Sequence, residues 1–551
     1  MELVNTQKKI IESFKRNFPY QFHHTESMHI FVQKHLKLIV QSFSPIISTI
    51  DDFHHELHFK KVVVKAPEFT SQNCKLRRKS FLFSVSTDIL QVLYNKNSRS
   101  ERFHKDVKIC ELPAMIGTIP CVGEDLISHA RGCFIINGNL KCILSQEALI
   151  SNFPIITRKD SKISVAVRSL FYMKFKSSST VYFESNVNDR ELYMRLPSIK
   201  HKESVLMMLK TLGFSFEETQ VEEILFFFPK LDAEFYDKVE IHEKYIDEFL
   251  PHCFLPNSSE QEIRQKKIYF TLLCLRKLRT FILDETLKDD IDNLLYKSFV
   301  PPGHLYALVF RQRMKTFIKT TQFYILKILK KTTLPVIDQI FPENNSLSAA
   351  IHYAFATGNW GANSIDSNAH GVSQICNQTN VDTWISQMRL VNIPLSRDGK
   401  TPYPRQLNIS YYGTLCANDT PEGRSAGLIN SLTTFTYIQP ELSLDIIFYI
   451  IKQHFHRLKF FTHSENKPLM QVYIHGIYVG AFTNTKDKIE QFHKKFTALK
   501  ENYALPPTIS YDRNDTLKYI YIFTQAGRTS RPMFVASKLK QLCKFCSKYN
   551  V

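Results

Sequence analysis

Residues 357–374 read TGNWGANSIDSNAHGVSQ, and residues 388–432 read MRLVNIPLSRDGKTPYPRQLNISYYGTLCANDTPEGRSAGLINSL. Glycines, prolines and single cations recur too densely here for a regular helix or strand, so the stretch reads as a shaped loop system. Asp398-Gly399 is a tight-turn dipeptide between Arg397 and Lys400, because glycine accepts positive φ, and a hairpin tip holding two cations is expected there. Thr420-Pro421-Glu422-Gly423 fits a second turn. Pro421 presets φ at its second position, Thr420 can bond the backbone, Gly423 closes it, and Glu422 projects from a rigid corner. Either turn alone is most simply an ordinary surface turn.

Together these residues resemble the fork region of the second-largest (β) subunit of multisubunit DNA-dependent RNA polymerases. That family carries GNWG, GVSQ, RxxNxP, RDGK, PRQL and an ETPEG motif followed by a glycine-leucine run. They stand here in the same order at 358–361, 371–374, 389–394, 397–400, 404–407 and 419–432. The resemblance extends over roughly residues 50–535.

Composition is compatible with it. A chain of 551 residues makes several compact units, and 44% hydrophobic with 13% aromatic content excludes wholesale disorder. The formal net charge of +19 is spread along the chain, which suits broad contact with a polyanion; a membrane surface or plain solvation are the other readings. Lys8, Lys9 and Glu12 interrupt any apolar leader, and the longest apolar runs, such as 446–451, are too short to span a bilayer. Eleven scattered cysteines fit reduced thiols, and the expected setting is intracellular, with no membrane partner.

Taken in order, residues 1–45 read as amphipathic helix, with Ile30, Val32, Leu36, Leu38, Ile39 and Val40 on its stripe and a break at Ser44-Pro45. A strand-like block at 58–67 and the basic run 74–79 follow. Asn137-Gly138 between two β-rich arms is the strongest short hairpin signal in the chain. Strands at 163–175 and 179–184 precede a long helix at 262–283. The acidic run Asp232, Glu234, Asp237 and Glu240 reads as a solvated face. Residues 304–331 form a basic helix with Phe310, Met314, Phe317, Ile318, Ile325, Ile328 and Leu329 on one face. A core-packed helix with solvated lysines and a helix lining a DNA cleft are both open readings of it. Val472 to Phe482 is a hairpin turning at His475-Gly476, and residues 484–487 open a helix burying Ile489, Phe492, Phe496 and Leu499.

Metal sites find little support in the spacing. His54, Glu56 and His58 lack the arrangement of a helical zinc pair, and Cys543 and Cys546 form one CxxC with no second pair nearby, where a basic tail is the simpler reading. No phosphate-binding loop, dinucleotide fingerprint or nucleophile elbow occurs.

The resemblance implies an α+β, multidomain fold of mixed helices and antiparallel sheets. Its parts would be a protrusion (1–160 and 291–356), a lobe (161–290), a fork (357–435), and external domains with a basic tail (436–551). It assigns Arg397 and Lys400 to DNA phosphate, and Gln374 and Arg389 to RNA or the DNA-RNA hybrid. Arg405, Gln406 and Glu422 would lie beside the moving catalytic loop of the largest subunit. Arg424 stands where the family is commonly neutral and would add a phosphate contact. The family usually has a histidine where this chain has Gln387, an arginine where it has Leu390, and a glutamate where it has Asp419. No catalytic residue and no metal ligand are expected in this chain, since the largest subunit holds the Mg2+.

The sequence stops where the family continues into its hybrid-binding, wall, anchor and clamp regions. The expectation is therefore the N-terminal half of a split β-type subunit. It would make RNA on a DNA template only with a largest subunit and a separate C-terminal half, and would contact template DNA, nascent RNA and their hybrid. A noncatalytic truncated paralogue is the alternative. The Phe-, Ile-, Lys- and Asn-rich composition points to an AT-rich genome and a viral source, with the protein in a virion or host cytoplasm.

Overall fold

The computed structural model describes residues 2–50, 53–95, 98–118, 130–159, 162–171, 176–186, 192–196, 202–214, 222–229, 231, 236, 260–284, 287, 289–330, 336–342, 346–360, 371–399, 401–454, 469–483, 485–533, 541 and 544. The fold is α+β, and the chain divides into two units. The first comprises residues 1–148, 298–440 and 527–551; the second comprises 149–297 and 441–526. No helix among the described residues is long and apolar enough to cross a membrane.

The first unit is built on a four-stranded antiparallel meander, Ile46–Ile50, Phe53–Lys65, Leu82–Asn95 and Ser98–Pro113. The stripe expected in the first 45 residues lies on helix Phe22–Ile30, a π turn Phe31–His35 and helix Leu36–Ser42, where Val32, Leu36, Ile39 and Val40 are buried. Pro302 occupies the first turn of helix Pro302–Leu329, where its fixed φ suits the helix and its missing N–H has no partner to lose. Phe310, Met314, Phe317, Ile318, Ile325 and Leu329 of that helix are buried, at the spacing of one face. Phe31 stacks on Tyr306 at 4.5 Å, and Phe355 meets Phe134 edge-on at 4.9 Å, so aromatic packing closes this core.

Asn137 and Gly138 make the expected two-residue turn. Their φ values of 51° and 80° join Phe134–Ile136 to Asn139–Ile143, and Ser373–Ile375 adds a third strand with Gln374 opposite Cys142. A further sheet has the order Lys297–Val300, Ser145–Leu149, Leu390–Asn392, Ile429–Ser431. In the strand Phe53–Lys65, positions 54, 56 and 58 share a face by the two-residue period. Glu56 bridges them, with His54 Nε2 at 2.8 Å and His58 Nε2 at 2.9 Å.

The second unit holds a five-stranded antiparallel sheet in the order Glu203–Ser204, Leu192–Arg195, Lys176–Asn186, Lys162–Phe171, Pro154–Lys159. Ile163, Val165, Val167 and Ser169 point inward and Lys162, Ser164, Ala166 and Arg168 do not, the alternation of a half-covered strand. Helix Glu260–Leu283 packs on this sheet. Its Lys277 is buried, forms an ion pair with Asp289 at 2.5 Å and donates to the Pro154 carbonyl at 2.9 Å. Burial pulls the lysine pKa down, and the Asp289 charge opposes that shift. A four-stranded sheet, Ile477–Thr483, Leu469–Ile474, Tyr519–Phe523, Ser510–Asn514, packs with helices Leu444–His454 and Lys486–Glu501. His475 and Gly476 turn the hairpin as expected, at φ of 50° and 82°, and Ile489, Phe492, Phe496 and Leu499 are buried. The acidic residues Asp232, Glu234, Asp237 and Glu240 and the CxxC lie outside the described residues.

Candidate nucleic-acid interface

The expected hairpin at Asp398-Gly399 is not what forms. Gly399 has a φ outside the left-handed region, its N–H donates to the Ser396 carbonyl at 3.1 Å, and no strand flanks the turn among the described residues. The nearest strand, Leu390–Asn392, pairs instead with Ile429–Ser431 and with Ser145 and Gln146. Strand pairing is thus consumed by distant partners, and residues 395–399 form an open, exposed turn carrying Arg397 and Asp398.

Arg405 holds that turn in place. It sits on the short 3-10 turn Tyr403–Arg405, and its Nη2 donates to the Arg397 carbonyl at 2.8 Å. Its Nη1 donates to the carbonyls of Arg424 at 2.8 Å and Ala426 at 2.9 Å. One planar guanidinium therefore ties the 397 turn to the 420–427 turn, a geometry that a single ammonium cannot reproduce. Gly427 makes the close approach possible: its φ is +74°, and a Cβ there would lie 2.5 Å from the Arg405 carbonyl oxygen. Thr420 bonds the backbone as its turn position suggests, accepting from Gly427 N–H at 2.8 Å and donating to the Ile429 carbonyl at 2.9 Å.

This frame leaves Arg397, Gln406, Glu422 and Arg424 exposed. Arg424 pairs with Asp398 at 3.2 Å, and both side chains face water, so solvent screens the pair. Between 395 and 412 the large apolar side chains Leu395, Tyr403, Leu407, Ile409 and Tyr412 are also exposed, Ile409 to 93% and Tyr412 to 86%. Apolar surface on that scale marks a contact region rather than a folded interior.

Arg389 is different. It follows helix Val381–Met388, is buried, and donates from Nε to the Leu432 carbonyl at 3.2 Å and from Nη2 to the carbonyls of Thr433 and Thr436, the latter at 2.6 Å. Its guanidinium lies 5.8 Å from the Tyr20 ring, and burial pushes its pKa down to about 10, which still leaves it charged at neutral pH. In this structure the side chain is spent on the protein's own backbone. Gln387 accepts from Asn377 N–H at 2.7 Å and donates to the Ile375 carbonyl at 3.0 Å, fastening the helix to the strand Ser373–Ile375. Gln374 lies half-buried on that strand, donating to the Gly371 carbonyl at 3.3 Å. Asp419 accepts from the Ser386 hydroxyl at 3.1 Å. Lys400 lies outside the described residues.

The structure thus gathers Arg397, Arg405 and Arg424 into one stapled element; Arg397 Nη2 also lies 3.7 Å from where a Cβ at Gly371 would stand, next to the carbonyl that Gln374 holds, while Arg389 is spent on residues 432–436. Sequence reasoning missed that Arg405 and Arg389 are held by carbonyls, because those partners lie 8 to 47 positions away in the chain. Replacing Arg405 by alanine is expected to cost about 1–2 kcal/mol locally and to speed amide hydrogen exchange between 396 and 427 by about five- to thirtyfold. Lysine should not restore protection. Unchanged exchange in R405A would remove the staple from the account.

Comparison with known proteins gives a consistent result. The family described as RNA polymerase beta subunit matches residues 20–349, and RNA polymerase Rpb2, domain 3, matches residues 374–438. DNA-directed RNA polymerase II subunit RPB2 of Meyerozyma guilliermondii is 22% identical over 87% of this chain and 45% of its own. The same subunit of Eremothecium gossypii is 25% identical over 88% and 45%. DNA-directed RNA polymerase III subunit RPC2 of Saccharomyces cerevisiae is 23% identical over 93% and 48%. The chain spans about half the length of the curated relatives it matches. With the β-subunit match alone covering more than half of its residues, the chain belongs to the RNA polymerase β-subunit family.

Proposed function

We propose that this chain is a subunit of a DNA-directed RNA polymerase that positions nucleic acid, and that it acts only when assembled with a largest subunit and a separate chain supplying the C-terminal β half. The observation that carries this reading is the Arg405 staple, which fixes exposed Arg397 and Arg424 beside five exposed large apolar side chains. Cations at a rigid corner suit phosphate, and the apolar surface suits a partner chain. Lys400 would join Arg397 on DNA phosphate, Gln374 would face RNA or the hybrid, and Gln406 and Glu422 would lie near the moving loop of the partner. Arg389, held by three carbonyls, would act by fixing the backbone at 432–436 and not by touching RNA. The return of the chain to its first unit at residue 298 supports reading 1–160 and 291–356 as one protrusion with 161–290 as a lobe, followed by fork and external domains.

Mg2+ would be held by the largest subunit. Asp398 is paired with Arg424 and Asp419 accepts from Ser386, and this chain's part would be binding and orientation. Such an assembly works inside a cell; a viral source, with the complex in a virion or host cytoplasm, is the finer reading that the composition supports.

The test is affinity purification from the native source, followed by RNA synthesis on a nicked template. Stoichiometric recovery of a largest subunit and a C-terminal half, with activity that falls at least tenfold when Arg397 and Arg424 are both replaced by alanine, is expected. A complete complex that transcribes equally well without this chain would defeat the reading. Recovery of an inert complex would favour the noncatalytic paralogue, to which the internal use of Arg389 lends weight.

A further inference from the structure

From Pro301 to Lys331 the sequence contains no Asp or Glu, while Arg311, Arg313, Lys315, Lys319, Lys327, Lys330 and Lys331 supply cations. The helix Pro302–Leu329 spends its apolar face on the core, through Phe310, Met314, Phe317, Ile318, Ile325 and Leu329. The opposite arc holds Lys315, Lys319, Phe323 and Lys327 at four-residue intervals, all exposed, with Lys330 on the same side just past the helix end. Phe323 is 71% exposed and Tyr324, beside it, 39%. At about 100° per residue Phe323 falls near the middle of this arc, and at 1.5 Å per residue the stripe from 315 to 327 is about 18 Å long.

An exposed phenylalanine ringed by lysines adds nothing to the core beneath it. It is suited to a ligand with a flat face and a string of negative charges. We infer that the outer face of helix Pro302–Leu329 binds a few nucleotides of single-stranded nucleic acid, with one base stacked on Phe323 and the flanking phosphates met by Lys315, Lys319, Lys327 and Lys330. Stacking needs a free base face, which a duplex interior does not offer, and sequence choice is not required because every base has one. A lipid surface fits less well: the apolar side of the helix is already buried, leaving only Phe323 and part of Tyr324 to enter it. The site is separate from the fork and stands whether or not the chain works in a polymerase.

Phe323→Trp in the full chain places a reporter at the proposed stacking point, read as the difference from the parent, whose own tryptophans are Trp360 and Trp384. An oligothymidylate about twelve nucleotides long is expected to quench the added fluorescence saturably. Lys319→Glu in that background should weaken the response about fivefold or more and lower the salt dependence by about one phosphate contact. Circular dichroism of each variant should match the parent, since both positions are exposed. Absence of quenching in folded F323W would overturn the site. Equal quenching by a blunt duplex would overturn the single-strand assignment, and quenching by anionic phospholipid vesicles but not by oligothymidylate would transfer the face to a membrane.

Discussion

Gly303→Ala is expected to destabilise the first unit by about 3 kcal/mol or more, a large fraction of the roughly 5–15 kcal/mol that holds a typical domain. Gly303 sits in the first turn of helix Pro302–Leu329, where that helix crosses Phe22–Ile30. Its N–H donates to the Ser27 hydroxyl at 3.0 Å. A Cβ at 303 would lie 2.1 Å from the Ser27 carbonyl oxygen, 2.3 Å from its carbon and 2.8 Å from Met28 N. These are backbone atoms inside a helix, so no rotamer change relieves the overlap. Moving the helices apart would open the Phe31–Tyr306 stack beneath them. The φ of Gly303 is not left-handed, so the cost is one of space and not of backbone strain. Gly213 of the second unit is the contrast: φ is +85° with nothing within 4 Å of a built Cβ, and alanine there should cost only about 1 kcal/mol of strain. Urea denaturation of both variants separates the two effects. Equal, small losses would show that the helix crossing is looser than the structure draws it.

What the sequence revealed and what it hid divide along chain distance. The hairpins at Asn137-Gly138 and His475-Gly476 were legible because a two-residue turn is decided by the residues that form it. Helices Pro302–Leu329 and Lys486–Glu501 were legible because burial follows a local period. Asp398-Gly399 carried an equally good local signal and still failed as a hairpin. A hairpin needs two neighbouring strands, and the strand before it had already paired with residues near 146 and 430. Gly303 gave no sign in the sequence of its contact with Ser27, 276 positions away, and Arg389 gave none of its commitment to residues 432–436. The family motifs gave no sign of which cations of that stretch face outward. Arg397 and Arg424 do, whereas Arg405 and Arg389 serve as internal ties.

Mild acid is expected to weaken the fold well before its carboxylates protonate, through four buried histidines. In the first unit His23 and His24 lie against each other, ring centroids 4.3 Å apart, and His55 is wholly buried; in the second, His475 is buried at its hairpin turn. Burial lowers the pKa of His24, His55 and His475 to about 4 and that of His23 well below its ordinary value. The Arg389 charge adds to the shift for His23 and His24, while the hydrogen bond from His24 Nε2 to the Met388 carbonyl, 2.9 Å, opposes it. In the unfolded chain these rings take up protons near pH 6.5; in the folded protein His24, His55 and His475 do not until about pH 4, and burial holds His23 well below its ordinary range. Between those values the unfolded state binds more protons, so stability falls as pH falls, by up to about 1.4 kcal/mol per unit for each histidine. At pH 5 His24, His55 and His475 each contribute about 2 kcal/mol of loss as an upper bound, because local opening admits water to the ring. His24→Gln tests the mechanism, since the amide can still donate to Met388 but cannot be charged. Urea midpoints measured from pH 7 to pH 5 should fall steeply for the parent and less steeply for H24Q, with the two curves converging as the medium becomes more acid. Parallel curves would show that His24 takes no part, and would leave the acid response to the other buried histidines and the carboxylates.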